Sequence, residues 1–124
     1  MSTFHAVVWM DQSEAHVVMF DREHAEAQRI KSRSHHKHQA KTDDLTPLFA
    51  DVAQALAGTR EVLLAGPGQV RNQFRDWVAK HHTAVADVVV DSVAADHPTD
   101  AQLVVMARQY FKKFDNMAAD PSAA

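Results

Sequence analysis

Phe4 to Met10 and Ala15 to Phe20 are short runs rich in β-branched and aromatic residues, separated by the polar turn-formers Asp11-Gln12-Ser13-Glu14. That pattern predicts a β-hairpin. From Ala25 to Arg33, the residues Ala25, Ala27, Arg29, Lys31 and Arg33 alternate with Glu26, Gln28, Ile30 and Ser32. A period of two suits a strand, and its polarity suits a sheet edge rather than a centre. Ser34 to Asp43 holds no apolar residue except Ala40, so it cannot bury itself and is expected to be a mobile loop. Asp43 or Asp44 is then expected to cap a helix running to about Ala57, because Leu45, Leu48, Phe49, Val52 and Leu56 recur at spacings of three and four. Pro47 fits its first turn and Gly58 its stop.

The second half of the chain changes period. Glu61-Val62-Leu63-Leu64-Ala65 is a nearly continuous apolar run ending in Gly66-Pro67-Gly68, and a helix with Val70, Phe74, Trp77 and Val78 on one face follows. Strand, glycine turn and helix form half of a βαβ unit, completed by Asp87 to Val93, where Val88-Val89-Val90 predicts a buried parallel strand. A last helix begins at Asp96-His97-Pro98-Thr99-Asp100, with Thr99 and Gln102 spaced as a capping box and Leu103, Ala107, Tyr110, Phe111 and Phe114 as its stripe. The order β-β-β-α-β-α-β-α predicts a single α/β domain over residues 1–115. Its mixed five-stranded sheet has three antiparallel strands, then two parallel strands joined by right-handed crossovers, with helices packed on it. Residues 116–124 are expected to be a flexible tail.

At 124 residues the chain suffices for one domain, which buries roughly two-thirds of its unfolded surface without needing staples. Thirteen Lys and Arg against sixteen Asp and Glu give a formal charge of −3, which argues against a uniformly basic nucleic-acid coat and makes any basic patch local. The absence of Cys excludes disulfides, thiol nucleophiles and Cys-ligated zinc. No apolar run has the length of a membrane span and the N-terminus does not read as a signal peptide, so a cytoplasmic protein without a membrane partner is expected.

Charge is concentrated between Gln28 and Thr42. This stretch holds Arg29, Lys31, Arg33, Lys37 and Lys41, five of the thirteen Lys and Arg, together with His35, His36 and His38, and no acid. Such a segment matches RNA phosphates, and its charge grows as pH falls through the histidine range. Arg71 and Arg75, one turn apart, add a basic edge beside the glycine turn. Gly66 and Gly68 could present backbone amides and a helix N-terminus to an anion, although Gly-Pro-Gly-Gln-Val-Arg is neither a dinucleotide fingerprint nor a phosphate-binding loop, and a tight turn where only Gly fits is the favoured explanation of the glycines. His5, His16, His81, His82 and His97 are read as structural. The topology is similar to that of ribonuclease H, but Asp11, Asp44, Asp51 and Asp91 do not converge by position as two-metal catalysis requires. No cofactor and no metal site is assigned.

The runs His5-Ala6-Val7-Val8-Trp9-Met10-Asp11, Glu14-Ala15-His16-Val17-Val18-Met19-Phe20, Val62-Leu63-Leu64-Ala65-Gly66-Pro67-Gly68 and Gln69-Val70-Arg71-Asn72-Gln73-Phe74, taken in order, resemble the central domain of archaeal and eukaryotic peptide-chain release factors and, more closely, of Pelota. Small bacterial proteins with this domain alone are similar through Asp96-His97-Pro98-Thr99-Asp100-Ala101-Gln102-Leu103. The resemblance covers residues 4–114. Release factors carry Gly-Gly-Gln in the loop after the third strand, where this chain has Ser34-His35-His36-Lys37-His38-Gln39 and no Gly-Gly-Gln anywhere. Pelota lacks that tripeptide too, so the resemblance implies ribosome association without peptide release.

The leading expectation is therefore a translation-related protein that binds the ribosome or structured RNA through the basic, His-rich run. Two alternatives stay open: an enzyme acting on RNA or peptidyl-tRNA through His35, His36 and His38, and a protein-interaction module whose edge strand, Ala25 to Arg33, pairs with another chain, including a second copy of itself.

Overall fold

The computed structural model describes residues 5–21, 23–32 and 45–118, with side chains described as far as Lys112. Five strands form one sheet: β1 (His5–Met10), β2 (Glu14–Phe20), β3 (Ala25–Lys31), β4 (Glu61–Gly66) and β5 (Val89–Ala94), in the order β3-β2-β1-β4-β5. The helices are α1 (Thr46–Ala55), α2 (Val70–His81), a single turn α3 (Thr83–Ala86) and α4 (Asp100–Ala118). β1, β2 and β3 pair antiparallel, while β4 is parallel to β1 and β5 parallel to β4. The predicted single α/β architecture, three antiparallel strands followed by two parallel ones, is the architecture found.

Alternation along the strands splits the core into two layers. Ala6, Val8 and Met10 of β1, Ala15 and Val17 of β2, and Val62 and Leu64 of β4 face α1 and α2, where Leu48, Phe49, Val52, Val70, Phe74 and Val78 meet them. Val7, Trp9, Val18, Phe20, Leu63 and Ala65 face α4 and its Leu103, Val104, Ala107 and Phe111. The central strands are buried on both faces, which is why β1 and β4 are almost continuously apolar. β3 is exposed at every position but Ile30, which packs under α1.

Some boundaries depart from expectation. α1 starts at Thr46 with Leu45 as its N-cap and no side-chain cap hydrogen bond; the expected caps, Asp43 and Asp44, lie outside the described residues. Pro47 does sit in its first turn. β5 is an edge strand starting at Val89, preceded by α3, because Val85 fills the α1–α2 layer before the strand begins. Its register shifts between Val62 and Leu63 of β4, leaving Val90 without a partner, and the Val-Val-Val run is half covered rather than central. α4 continues to Ala118, past residue 115, since nothing from Asp115 to Ala118 breaks a helix.

The Thr99–Gln102 capping box is present. The Gln102 backbone N–H donates to Thr99 Oγ1 at 3.1 Å and the Thr99 N–H to Gln102 Oε1 at 2.8 Å. No helix among the described residues is long and apolar enough to cross a membrane.

Candidate nucleic-acid interface

β1, β3, β4 and β5 all run towards the same end of the sheet. There the Asp11–Ser13 turn lies across a cleft of about 460 Å³ from Pro67, Gly68, Gln69 and Val70, at the start of α2. The N-terminus of α4 reaches this end too, because the Trp9 indole N–H is shared by the carbonyls of Ala95 at 3.1 Å and Asp96 at 2.9 Å, which holds the β5–α4 connection over β1. The start of the basic run is fixed here as well. The Ser32 N–H donates to the Ser13 carbonyl at 2.8 Å, one residue before Arg33. Arg33, His35, His36, Lys37, His38 and Lys41 themselves lie outside the described residues.

The glycine turn is built for close approach. At Gly66, φ is +147° and a Cβ would stand 2.2 Å from the Met10 carbonyl oxygen, so no side chain fits while β4 stays paired to β1. Gly68 is left-handed at φ +66°. Arg71 folds back over this turn, its Nη1 donating to the Gly66 carbonyl at 2.9 Å and to the Gly68 carbonyl. Its Nε is buried without a hydrogen-bond partner. The turn's carbonyls thus already hold a cation of the protein itself, and what it leaves towards solvent is the amide end of α2. Asn72 adds a brace, its Oδ1 accepting from Ser92 Oγ at 2.8 Å.

Arg29 and Lys31 project from β3 on the α4 side of the sheet, three strand spacings (about 14 Å) from the β4 turn that Arg71 covers. Arg75 lies on the far side, its charge acting on Tyr110, whose hydroxyl donates to Asp91 Oδ2 of β5 at 2.9 Å. Burial and this bond to a carboxylate raise the tyrosine pKa. The two basic groups read from the sequence are therefore separate: Arg29 and Lys31 flank the run at one edge, and Arg71 and Arg75 lie beside β4 and β5.

A charge network escaped the sequence reading. Arg29 Nε donates to Glu14 Oε1 at 2.8 Å; Glu14 Oε2 lies 3.2 Å from His16 Nε2; and His16 Nδ1 lies 3.0 Å from Asp100 Oδ1 in the first turn of α4. Cation and anion alternate from β3 through β2 to α4. An imidazole with a carboxylate at each nitrogen can donate to both only when doubly protonated. Partial burial opposes that charge, but the bonds to Asp100 and Glu14 outweigh it and raise the His16 pKa. Arg29, followed by His16, holds the Glu14 carboxyl below its usual range. The i, i+2 spacing of Glu14 and His16 on one strand face was a readable signal; Asp100, 84 positions further on, had none.

Of the remaining described histidines, His24 is exposed beside Asp21, His81, His82 and His97 are exposed but lie against tryptophan rings, and His5 is half-buried. His5 meets Glu61 at 2.8 Å and packs edge-on against Phe111 with ring centres 4.7 Å apart, and the His97 and Trp9 ring centres are 4.8 Å apart. His81 and His82, at the end of α2, lie 5.1 and 5.0 Å from Trp77. Asp11 is spent on its turn, Oδ1 accepting from the Ser13 N–H and hydroxyl and the Glu14 N–H. Among the described residues, no group of three or more His, Asp or Glu is disposed to hold a metal ion.

Comparison with solved structures returns translation factors. The Pelota protein of Thermoplasma acidophilum is 24% identical over 82% of this chain and 30% of its own, with a TM-score of 0.61. Dom34 of S. cerevisiae, described as a translation termination-like factor involved in RNA quality control pathways and interacting with Hbs1, is 14% identical over 93% of this chain and 35% of its own, with a TM-score of 0.60. The archaeal translation termination factor aRF1 is 13% identical over 93% of this chain and 41% of its own, with a TM-score of 0.56. At these identities the likeness is one of fold: the chain has a Pelota-like and aRF1-like domain fold and spans about a third of the length of these proteins. No family model matches it, and no curated protein matches its sequence.

Proposed function

We propose that the protein is a translation-related factor that associates with the ribosome or with structured RNA through the basic run Arg29–Lys41, without catalysing peptide release. The observation that carries this reading is the position of the run's origin. An acid-free stretch of cations leaves β3 at Ser32, beside the Asp11–Ser13 turn and at the sheet end where the N-termini of α2 and α4 lie. Helix N-termini carry positive potential, so this end favours a polyanion over the opposite end of the sheet. The fold shared with Pelota, Dom34 and aRF1 supports the ribosome as that polyanion. The three glycines of the chain are Gly58, Gly66 and Gly68, none beside another, so no Gly-Gly-Gln is available for release chemistry.

Within this reading the cations divide by their surroundings. Lys31, Arg33, His35, His36, Lys37, His38 and Lys41 supply the phosphate contacts. Arg29 contributes field while bonded to Glu14, and Arg71 chiefly braces the Gly66–Gly68 turn. Arg75 belongs to a separate patch beside β5.

Pelleting with ribosomes distinguishes the two groups. Replacing Arg33, Lys37 and Lys41 with Gln, together with His35, His36 and His38, is expected to abolish co-sedimentation, whereas Arg75→Gln leaves it near wild type. Full binding by the first variant refutes the assignment of the run.

A further inference from the structure

The outer edge of β3, unpaired among the described residues, has a polarity that its own sequence complements. In the β2–β3 hairpin, Ser32 donates to Ser13 and Asp21 to His24, so the hydrogen-bonded pairs are those of Ser32, Ile30, Gln28 and Glu26. By the alternation of an antiparallel ladder, the backbone N–H and C=O groups of Ala25, Ala27, Arg29 and Lys31 point away from the sheet. Those residues are exposed, and β2 is the only strand with which β3 is paired among the described residues. The edge is also asymmetric in charge: Glu23 and Glu26 stand at its beginning, Arg29 and Lys31 at its end.

We propose that β3 is a self-association edge, on which a second copy of this chain adds its own β3 antiparallel about a two-fold axis at Ala27. Two-fold pairing sets the acidic beginning of each strand against the basic end of the other. With the axis at Ala27, that residue faces itself and exchanges two hydrogen bonds with its copy, and Ala25 and Arg29 of the second copy do the same on either side. Lys31 comes alongside the turn carrying Glu23 of the second copy, and Glu26 lies opposite the Gln28 amide, a donor to its carboxylate. Each guanidinium lies opposite an alanine methyl, which leaves it room to keep its bond to Glu14. An axis at Arg29 sets two guanidiniums face to face, and an axis at Gln28 carries Lys31 past Glu23 to Ala25, so Ala27 is the register that charge selects.

Sedimentation velocity of the whole chain, from micromolar to near-millimolar concentration, tests this. A reversible monomer–dimer equilibrium is expected. Ala27→Pro removes an N–H that no described residue of the same chain accepts, and is expected to weaken the dimer about tenfold or more while the circular dichroism spectrum stays native. Lys31→Glu and Glu23→Lys are each expected to weaken association, and the double exchange Glu23→Lys/Lys31→Glu to restore it. That rescue does not depend on how well the proline variant folds. A chain that is monomeric throughout, including one that binds some other extended segment, overturns the proposal. So does a dimer indifferent to Ala27→Pro, or single charge reversals that the double exchange fails to rescue. Lys31 takes part in both readings, but sedimentation is read without ribosomes present, so failure of the dimer leaves the RNA-binding reading standing.

Discussion

At Gly66 a single hydrogen atom decides whether β4 can pair with β1. A Cβ there meets the Met10 carbonyl oxygen at 2.2 Å, whereas at Gly58, with φ +85°, it meets nothing within 4 Å. Gly66→Ala is therefore expected to destabilise the fold by about 3 kcal/mol or more, and Gly58→Ala by only about 1–2 kcal/mol, the cost of a left-handed alanine. Urea unfolding of both variants measures the difference, and equal losses contradict the close-approach reading. His16 gives a pH-dependent counterpart. Its folded pKa is raised, so its stabilisation is complete below the ordinary value of 6.5 and is lost as pH rises through the folded value. Glu14 is lowered, so its share is present above its ordinary 4.5 and is lost as pH falls. Wild type should exceed His16→Gln in stability by roughly 0.5–1 kcal/mol below pH 6.5, the size of a partly exposed ion pair, and the gap should shrink as pH rises beyond the ordinary histidine range. A gap that widens with pH contradicts the network.

Elements are held by a few contacts between distant parts of the chain. The Trp9 indole ties the β5–α4 connection to β1, so Trp9→Phe leaves the Ala95 and Asp96 carbonyls without that donor and is expected to cost about 1–3 kcal/mol in denaturant unfolding. Thr99→Ala removes half of the α4 capping box and is expected to cost about 1 kcal/mol. These two contacts also mark how far the sequence could be read. The capping box is local, spaced by three residues, and was legible; so were the hairpin and the glycine turn. The Trp9 bonds span 86 and 87 positions, and no periodicity encodes them. α3 was missed because Thr83-Ala84-Val85-Ala86 is too short for a helical period to register. β5 was expected in a buried setting because three successive valines carry no information on whether a further strand lies beyond them. At the site, the positions of Gly66, Arg29 and Lys31 followed from the strand pattern. The diversion of Arg71 to the turn carbonyls and of Arg29 to Glu14 did not, because composition counts charges without saying which are already paired.

For the whole molecule, the net charge of −3 and the acid-free run from Gln28 to Thr42 act in opposite senses. In the proposed role the acidic body of the protein repels a polyanion while the basic run attracts it, so binding should be oriented and strongly dependent on salt rather than diffuse. The three-layer fold, with α1 and α2 on one face and α4 on the other, leaves the two sheet edges and the strand ends as the surfaces where strands β3 and β5 meet solvent. The measurement that bears most directly on the proposed role is co-sedimentation with ribosomes and separated subunits over a series of salt concentrations, using wild type and a variant carrying Ser-Gly-Ser-Gly at residues 35–38. Wild-type binding is expected to fall linearly on a log–log plot against salt, with a shallower slope and weaker binding in the variant, because each lost phosphate contact removes released counterions. Absence of binding at low salt, or binding equal in strength and slope for the two proteins, contradicts a ribosome-facing role for the basic run.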